Sequence, residues 1–268
     1  LNSLNEPLWP ARWDYESLMQ RKAEIGSLKF TREYLCVPIS TGTALFNPDY
    51  IEKCKNKDYI LKLGNRREKG YRYYVGVDPA ISTDGDYNVI TVLEVDENQN
   101  KTIVHIDRAK NVEFRENIEK IRIVGKIFQP DKIFYETNTF AKAFTQELRN
   151  VSDLNVHDFN TTRRKKQEII LNLQMNIENQ KLHFPYGDAN SKKITNMLIE
   201  ELSMFSITES GRFEGVGAHD DLVMSLALAN AASQSANETF ILLDDMDIFN
   251  STQKPVNLMA SGVTGLNL

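Results

Sequence analysis

YRYYVGVDP, residues 71–79, is an aromatic and β-branched run that ends in a carboxylate and then a proline. Such a run suits a strand buried on both faces, and the proline stops it. YNVITVLEVD (87–96) and KTIVHIDRA (101–109) have the same texture, separated by the turn signals Asp84-Gly85 and Asn98-Gln99-Asn100. Three successive strands, connected as hairpins, are the simplest reading.

Beyond Asn111 the alternation changes. Phe114, Ile118, Ile121 and Gly125 recur at helical spacing, and Gln129-Pro130-Asp131 ends that helix. KIFYE (132–136) reads as a second buried strand, followed by a helix over about 140–149 and a short strand in LNVHDF (154–159). Ile169, Ile170, Leu173 and Ile177 form an apolar stripe on a helix over 163–178. KLHF (181–184) is a short strand. A helix over 191–204 aligns Ile194, Met197, Leu198, Leu202 and Phe205, and DDLVMSLALANAA (220–232) is apolar on nearly all sides, as in a helix packed inside the body. Adjacent strands followed by alternating helices and strands predict an α/β fold, a mixed sheet flanked by helices.

Three regions differ in composition. Residues 1–70, rich in aromatics and prolines, read as an irregular lead-in with one helical stretch at 14–26 and a net charge of +3. Residues 71–232 form the body, and 233–268 a loosely held acidic tail of net charge -3. With 41 % hydrophobic and 26 % charged residues, the chain is globular in type. No apolar run approaches the ~20 residues a membrane span needs. LNSLNEPLWP has neither a basic start nor an apolar core, which argues against a secretory signal; it also lacks an initiator Met, as expected of a fragment or a processed chain. Cys36 and Cys54 form no CxxC pair, so a thiolate zinc site is unsupported. A formal charge of -5 excludes a uniformly basic coat for nucleic acid and leaves room for local binding.

Acids stand where chemistry could use them. Asp78 ends the first strand and Glu136 ends KIFYE, each carried to the sheet's carboxyl edge by apolar neighbours. A carboxylate there is costly unless paired or bound to a cation; the structural alternatives are a turn-forming Asp before Pro and a surface or capping Glu. Asp220 and Asp221 open the last helix after His219, where capping is the expected role of one of them. The sites are 58 and 84 residues apart, yet could converge on one edge. Such oxygen ligands suit hard divalent cations, and a pair of these can clamp the attacking and leaving oxygens of a phosphodiester. Asp84 and Asp86 sit in a DGD segment that reads as a turn, with Asp86 a possible accessory group. Arg163, Arg164, Lys165 and Lys166 are the densest basic run and open a helix, an arrangement fit for phosphates. The alternative is a solvated face.

LWPARWDYESLMQ (8–20), FTREYLCVP (30–38), LFNPDYI (45–51), VGVDPAISTDGDYNVITVLEV (75–95), IFYETN (133–138) and HDDLVMSLALA (219–229) together resemble the nuclease domain of the large terminase subunit, the DNA-packaging motor of tailed bacteriophages and herpesviruses. The resemblance implies a ribonuclease H-like fold and an endonuclease that cuts concatemeric double-stranded viral DNA with two Mg²⁺ or Mn²⁺ ions. By position, Asp78 and Glu136 match the family's strand acids, and Asp220 or Asp221 the acid opening the last helix; His219 matches a position near the metals in some relatives. The implied partners are double-stranded DNA, an ATPase domain in cis, the small terminase and the portal. The implied location is the host cytoplasm, transiently at the procapsid portal. The chain has no GxxxxGK[ST] phosphate loop, so ATP hydrolysis is not expected of it, and residues 1–70 read as the connection to an ATPase domain. No pattern indicates base readout, so little sequence specificity is expected. A resolvase or transposase-like nuclease of the same fold, a sugar-kinase or actin-like ATPase and a non-catalytic assembly module are the competing readings. The lead-in motifs favour the terminase, the missing Gly-rich turn and duplicated domain oppose the ATPase, and intact acids oppose the scaffold.

Overall fold

The computed structural model describes residues 6–37, 44–61, 68–80, 87–137, 141–215 and 219–234. The Asp84-Gly85 turn, Asp86, Gly217-Ala218 and the tail beyond 234 lie outside the described residues.

The three strands anticipated after residue 70 form as β2 (Arg72–Asp78), β3 (Tyr87–Val95) and β4 (Lys101–Lys110), after the short β1 (Lys55–Asn56). β2, β3 and β4 pair antiparallel, and the expected turn lies at Gln99, in the left-handed region at φ 62°. α4 (Phe114–Phe128) then crosses over so that β5 (Lys132–Glu136) lies parallel to β2. α5 (Ala141–Val151) leads to β6 (Val156–Phe159), parallel to β5, and α6 (Arg163–Glu178) leads to β7 (Leu182–Pro185), parallel to β4. α7 (Ala189–Met204) is followed by the hairpin β8 (Phe205–Ile207) and β9 (Phe213–Gly215), and then by α8 (Asp221–Gln234). Among the described residues the main sheet has seven strands in the order β1-β7-β4-β3-β2-β5-β6. This is the mixed α/β sheet the sequence predicts.

Each face of the sheet carries its own core. Tyr73, Val75, Val77, Ile133 and Tyr135 pack against α4 and Leu148 of α5. On the other face Tyr74, Val89, Leu93 and Phe134 meet α6, α7 and α8. α8 is buried from Asp221 to Ser233, which explains why no polar stripe is visible in its sequence. It lies almost in backbone contact with β2: a Cβ on Gly76 would come within 2.1 Å of the Ser225 carbonyl oxygen and 2.4 Å of the Ala229 nitrogen. The Ser225 hydroxyl donates to the Gly76 carbonyl at 2.9 Å, fixing helix on strand.

The lead-in is more ordered than its composition suggests. α1 (Tyr15–Ile25) is capped by Asp14, α2 (Ser27–Tyr34) follows at once, and α3 (Pro48–Cys54) starts with Asn47 as cap and proline in its first turn. β1 joins the main sheet by pairing Lys55 with Phe184, and Leu45, Phe46, Ile51 and Cys54 enter the same core as α8. The expectation of an irregular segment with one helical stretch is corrected: its order comes from contacts with α6 and β7, more than a hundred residues away. Ser27 illustrates this, donating its backbone N–H at 3.0 Å and its hydroxyl to the Glu178 carboxylate. Among the described residues no helix is long and apolar enough to cross a membrane.

Candidate active site

In the parallel register Val77 stands beside Tyr135, so the next residues, Asp78 and Glu136, are neighbours at the carboxyl ends of β2 and β5. Tyr74 and Phe134 belong to the core on the α8 side, and strand alternation brings Asp78 and Glu136 to that same side. The Asp78 carboxyl is held well above the usual carboxylate range. Desolvation is the largest cause, followed by the charge of Glu136, a side-chain hydrogen bond with Glu136, and the charges of Asp221 and Asp220. The other three acids therefore all act on Asp78 across the sheet edge.

α8 brings Asp220 and Asp221. The Asp220 carbonyl accepts from Met224 N at 2.9 Å, making Asp220 the N-cap residue. Its carboxylate does not cap the helix, however: it accepts from Lys166 Nζ at 2.8 Å. Asp221 Oδ2 accepts from Tyr87 N at 3.2 Å and stands 3.6 Å from His219 Nδ1, and the His219 ring meets Tyr87 edge-on. Two of the helix's free N–H groups are taken by Glu201 of α7, whose Oε2 accepts from Leu222 N at 2.8 Å and Val223 N at 3.3 Å. The expectation that one of the Asp220–Asp221 pair supplies the cap is thereby corrected. Glu201 is buried, and its carboxyl is pushed up to about 7 by desolvation, against the two amide donors and Arg108.

The four acids at this edge offer carboxylate oxygens, the donor type preferred by hard divalent cations. Asp78 and Glu136 stand side by side at adjacent strand ends, a pairing of like charges that a cation would stabilise. Among the described residues no three His, Cys, Asp or Glu side chains already stand as a cation cage. The Asp220 carboxylate is engaged by Lys166 and the Asp221 carboxylate by the Tyr87 N–H, while the charges of both reach Asp78.

The terminase RNaseH-like domain profile matches residues 75–232, more than half of the chain and a span that holds all four acids. The chain belongs to the terminase RNaseH-like domain family. No curated protein sequence matches it. Among solved structures, the large terminase nuclease from thermophilic phage G20c with bound magnesium is similar at 20 % identity, covering 72 % of this chain and 98 % of that one with a TM-score of 0.56. The Thermus phage P74-26 large terminase nuclease domain follows at 20 % identity, 70 % and 94 % coverage and a TM-score of 0.53. The HK97 bacteriophage large terminase is similar at 11 % identity, 81 % and 50 % coverage and a TM-score of 0.52. The terminase nuclease fold, a ribonuclease H-like mixed sheet with flanking helices, is thus the fold of this chain.

The basic run is divided on this terminase fold. Thr162 caps α6, and Arg163, Arg164 and Lys165 are exposed in its first turn. Arg163 donates to the Ser210 carbonyl at 2.7 Å, and the Lys165 ammonium lies 5.6 Å from the Phe159 ring centre. Lys166 turns inward to Asp220 and so belongs with the acids as much as with the basic surface. Reading the run as a single stripe overlooks this, because a helix turns each successive side chain by about 100°. Two further participants carry no local signal in the sequence. Tyr87 acts through its backbone N–H, and Glu201 reaches α8 from a different helix.

Proposed function

We propose that this chain is a metal-dependent endodeoxyribonuclease that cleaves concatemeric double-stranded viral DNA during genome packaging, with little sequence specificity. Membership of the terminase RNaseH-like domain family supports the reaction class. The observation that carries the site assignment is the Asp78 carboxyl, set beside Glu136 by the strand register and held above its usual range by desolvation and by the charges of Glu136, Asp221 and Asp220. Asp78 and Glu136 are the strand-borne ligands, and Asp220 and Asp221 complete the set from α8. Two Mg²⁺ or Mn²⁺ ions, when bound, supply Lewis acidity that activates a water and neutralises charge on the departing 3′-oxygen. Magnesium in the G20c nuclease structure is consistent with that choice.

The chain's own residues orient the reactants. Rigid strand ends fix two acids, and α8, locked on Gly76, fixes the other two. Lys166 holds Asp220 and places a positive charge where a phosphodiester would enter. Arg163, Arg164 and Lys165 at the start of α6 offer contacts to the DNA backbone on the same side, and none of them reads bases. His219, edge-on to Tyr87, borders Asp221 and serves as an accessory group.

In the packaging motor, residues 71–232 act as the nuclease, residues 1–70 connect to an ATPase domain in cis, and the acidic 233–268 segment is a tail. The small terminase and the portal bring the nuclease to DNA at the procapsid in the host cytoplasm. Incubation with supercoiled plasmid in Mn²⁺, Mg²⁺ or EDTA tests the reading. Nicked and linear products with ends scattered over the plasmid are expected with metal, and intact plasmid with EDTA. Intact plasmid under all three conditions, or cleavage unaffected by EDTA, contradicts it.

A further inference from the structure

We infer that Glu201 is a positioning residue for the acid pair of α8: by capping that helix from α7, it releases the Asp220 and Asp221 carboxylates for the active site. An Asp at the N-cap position ordinarily folds its side chain back onto the N–H of the second or third helical residue. Those residues here are Leu222 and Val223, and both donate to Glu201 Oε2, at 2.8 and 3.3 Å. Asp220, the N-cap residue, is therefore spared that role and points to Lys166.

A second arm of the same carboxylate reaches Asp221. Glu201 Oε1 lies 3.5 Å from Arg108 Nη2, and the Arg108 guanidinium carbon is 3.3 Å from the centre of the Tyr87 ring. Tyr87 N in turn donates to Asp221 Oδ2. Glu201 and Arg108 are both largely buried, so a long charged side chain is spent inside the molecule without facing solvent or substrate. Glu178 capping α2 at Gly26–Ser27 is a similar helix-to-helix device, but there the helix offers no side-chain cap of its own. At α8 a competent Asp occupies the position and is left out, which is what a functional requirement on Asp220 demands.

The inference rests on the nuclease reading of the four acids, and its test separates the two. Plasmid cleavage is titrated with Mn²⁺ for the parent, Glu201→Gln and Glu201→Ala chains. The Gln variant keeps an oxygen acceptor for both amides and loses only the charge facing Arg108, so it should shift the Mn²⁺ dependence clearly less than Glu201→Ala. Glu201→Ala leaves both amides to Asp220 and should raise the Mn²⁺ concentration for half-maximal cleavage by about tenfold or more, with a smaller change in rate at saturating Mn²⁺. Metal-free melting should show the exchange directly. Asp220→Ala should cost little in the parent, whose cap is Glu201, and clearly more in the Glu201→Ala background, where Asp220 has taken over. If Glu201→Ala does not fold, Glu201→Asp, too short to reach both amides, should shift the Mn²⁺ dependence in the same direction. An unchanged Mn²⁺ dependence in the folded Ala or Asp variant overturns the inference, as does equal impairment of Glu201→Gln and Glu201→Ala. A parent chain that never cleaves overturns the nuclease reading itself.

Discussion

The Cα of Gly76 faces the backbone of Ser225 so closely that a methyl group between them would lie 2.1 Å from the Ser225 carbonyl oxygen. Strand β2 and helix α8 therefore meet main chain to main chain, two residues before Asp78 and four residues after Asp221. The contact sets the distance between the strand acids and the helix acids.

Gly76→Ala should consequently disturb both stability and the site. The obstructing atoms are backbone, which cannot rotate away, so the cost should reach about 3 kcal/mol, the upper part of the usual overpacking range. Urea denaturation should show a lower midpoint, and any folded fraction should cleave poorly because α8 is displaced. A midpoint equal to the parent's would mean that the helix is not seated as described.

The three exposed basic residues of α6 and the inward Lys166 should separate experimentally. Replacing Arg163, Arg164 and Lys165 together by Ala should weaken DNA binding and lower the slope of log affinity against log salt by roughly 0.9 for each phosphate the variant no longer neutralises. Lys166→Ala removes the partner of Asp220 and should reduce cleavage more than it reduces binding. Fluorescence anisotropy across a salt series, paired with plasmid cleavage, distinguishes the two effects. An unchanged slope in the triple variant would remove these residues from the DNA surface.

Much of this arrangement is legible in the sequence. Asp78 and Glu136 announce themselves because a buried strand that runs apolar and then ends in an acid exposes a desolvation cost needing an explanation. The largely apolar DLVMSLALANAA equally announces a buried helix. The lead-in is misread because β1 and α2 depend on distant partners, Phe184 and Glu178, which no local pattern reveals. The cap of α8 is misread for the same reason. Sequence rules look for it at Asp220, whereas Glu201 supplies it from another helix.

Lys101 is buried, and its ammonium donates to Asn176 Oδ1, a neutral partner, at 2.9 Å. Desolvation, with a lesser contribution from Lys181, lowers its pKa from 10.5 to about 8. Between about pH 8 and 10.5 the unfolded chain holds a proton that the folded chain has released, so stability from this group rises with pH across that window. Below pH 8 the folded state bears the full cost of the buried charge. Lys101→Met should flatten the stability profile between pH 8 and 10.5, measured by denaturant titration at several pH values. An identical profile in the variant would contradict the assignment.

The two thiols should differ sharply in reactivity. Cys54 is buried, its Sγ donates to the Ile177 carbonyl at 3.7 Å, and burial pushes its pKa up to about 12, whereas Cys36 is exposed. Since the thiolate is the nucleophile, a disulfide reagent at pH 8 should modify one thiol in the native chain and both after denaturation. Rapid modification of two native thiols would contradict the packing of α3 against α6.

The central claim is that four acids from two strands and one helix form a single hydrolytic centre. Its most direct test is the rate of Mn²⁺-dependent plasmid cleavage by Asp78→Ala and Glu136→Ala chains whose melting curves show that they are folded. Each should fall below the parent by on the order of a hundredfold or more. Parent-like cleavage by either folded variant would contradict the account.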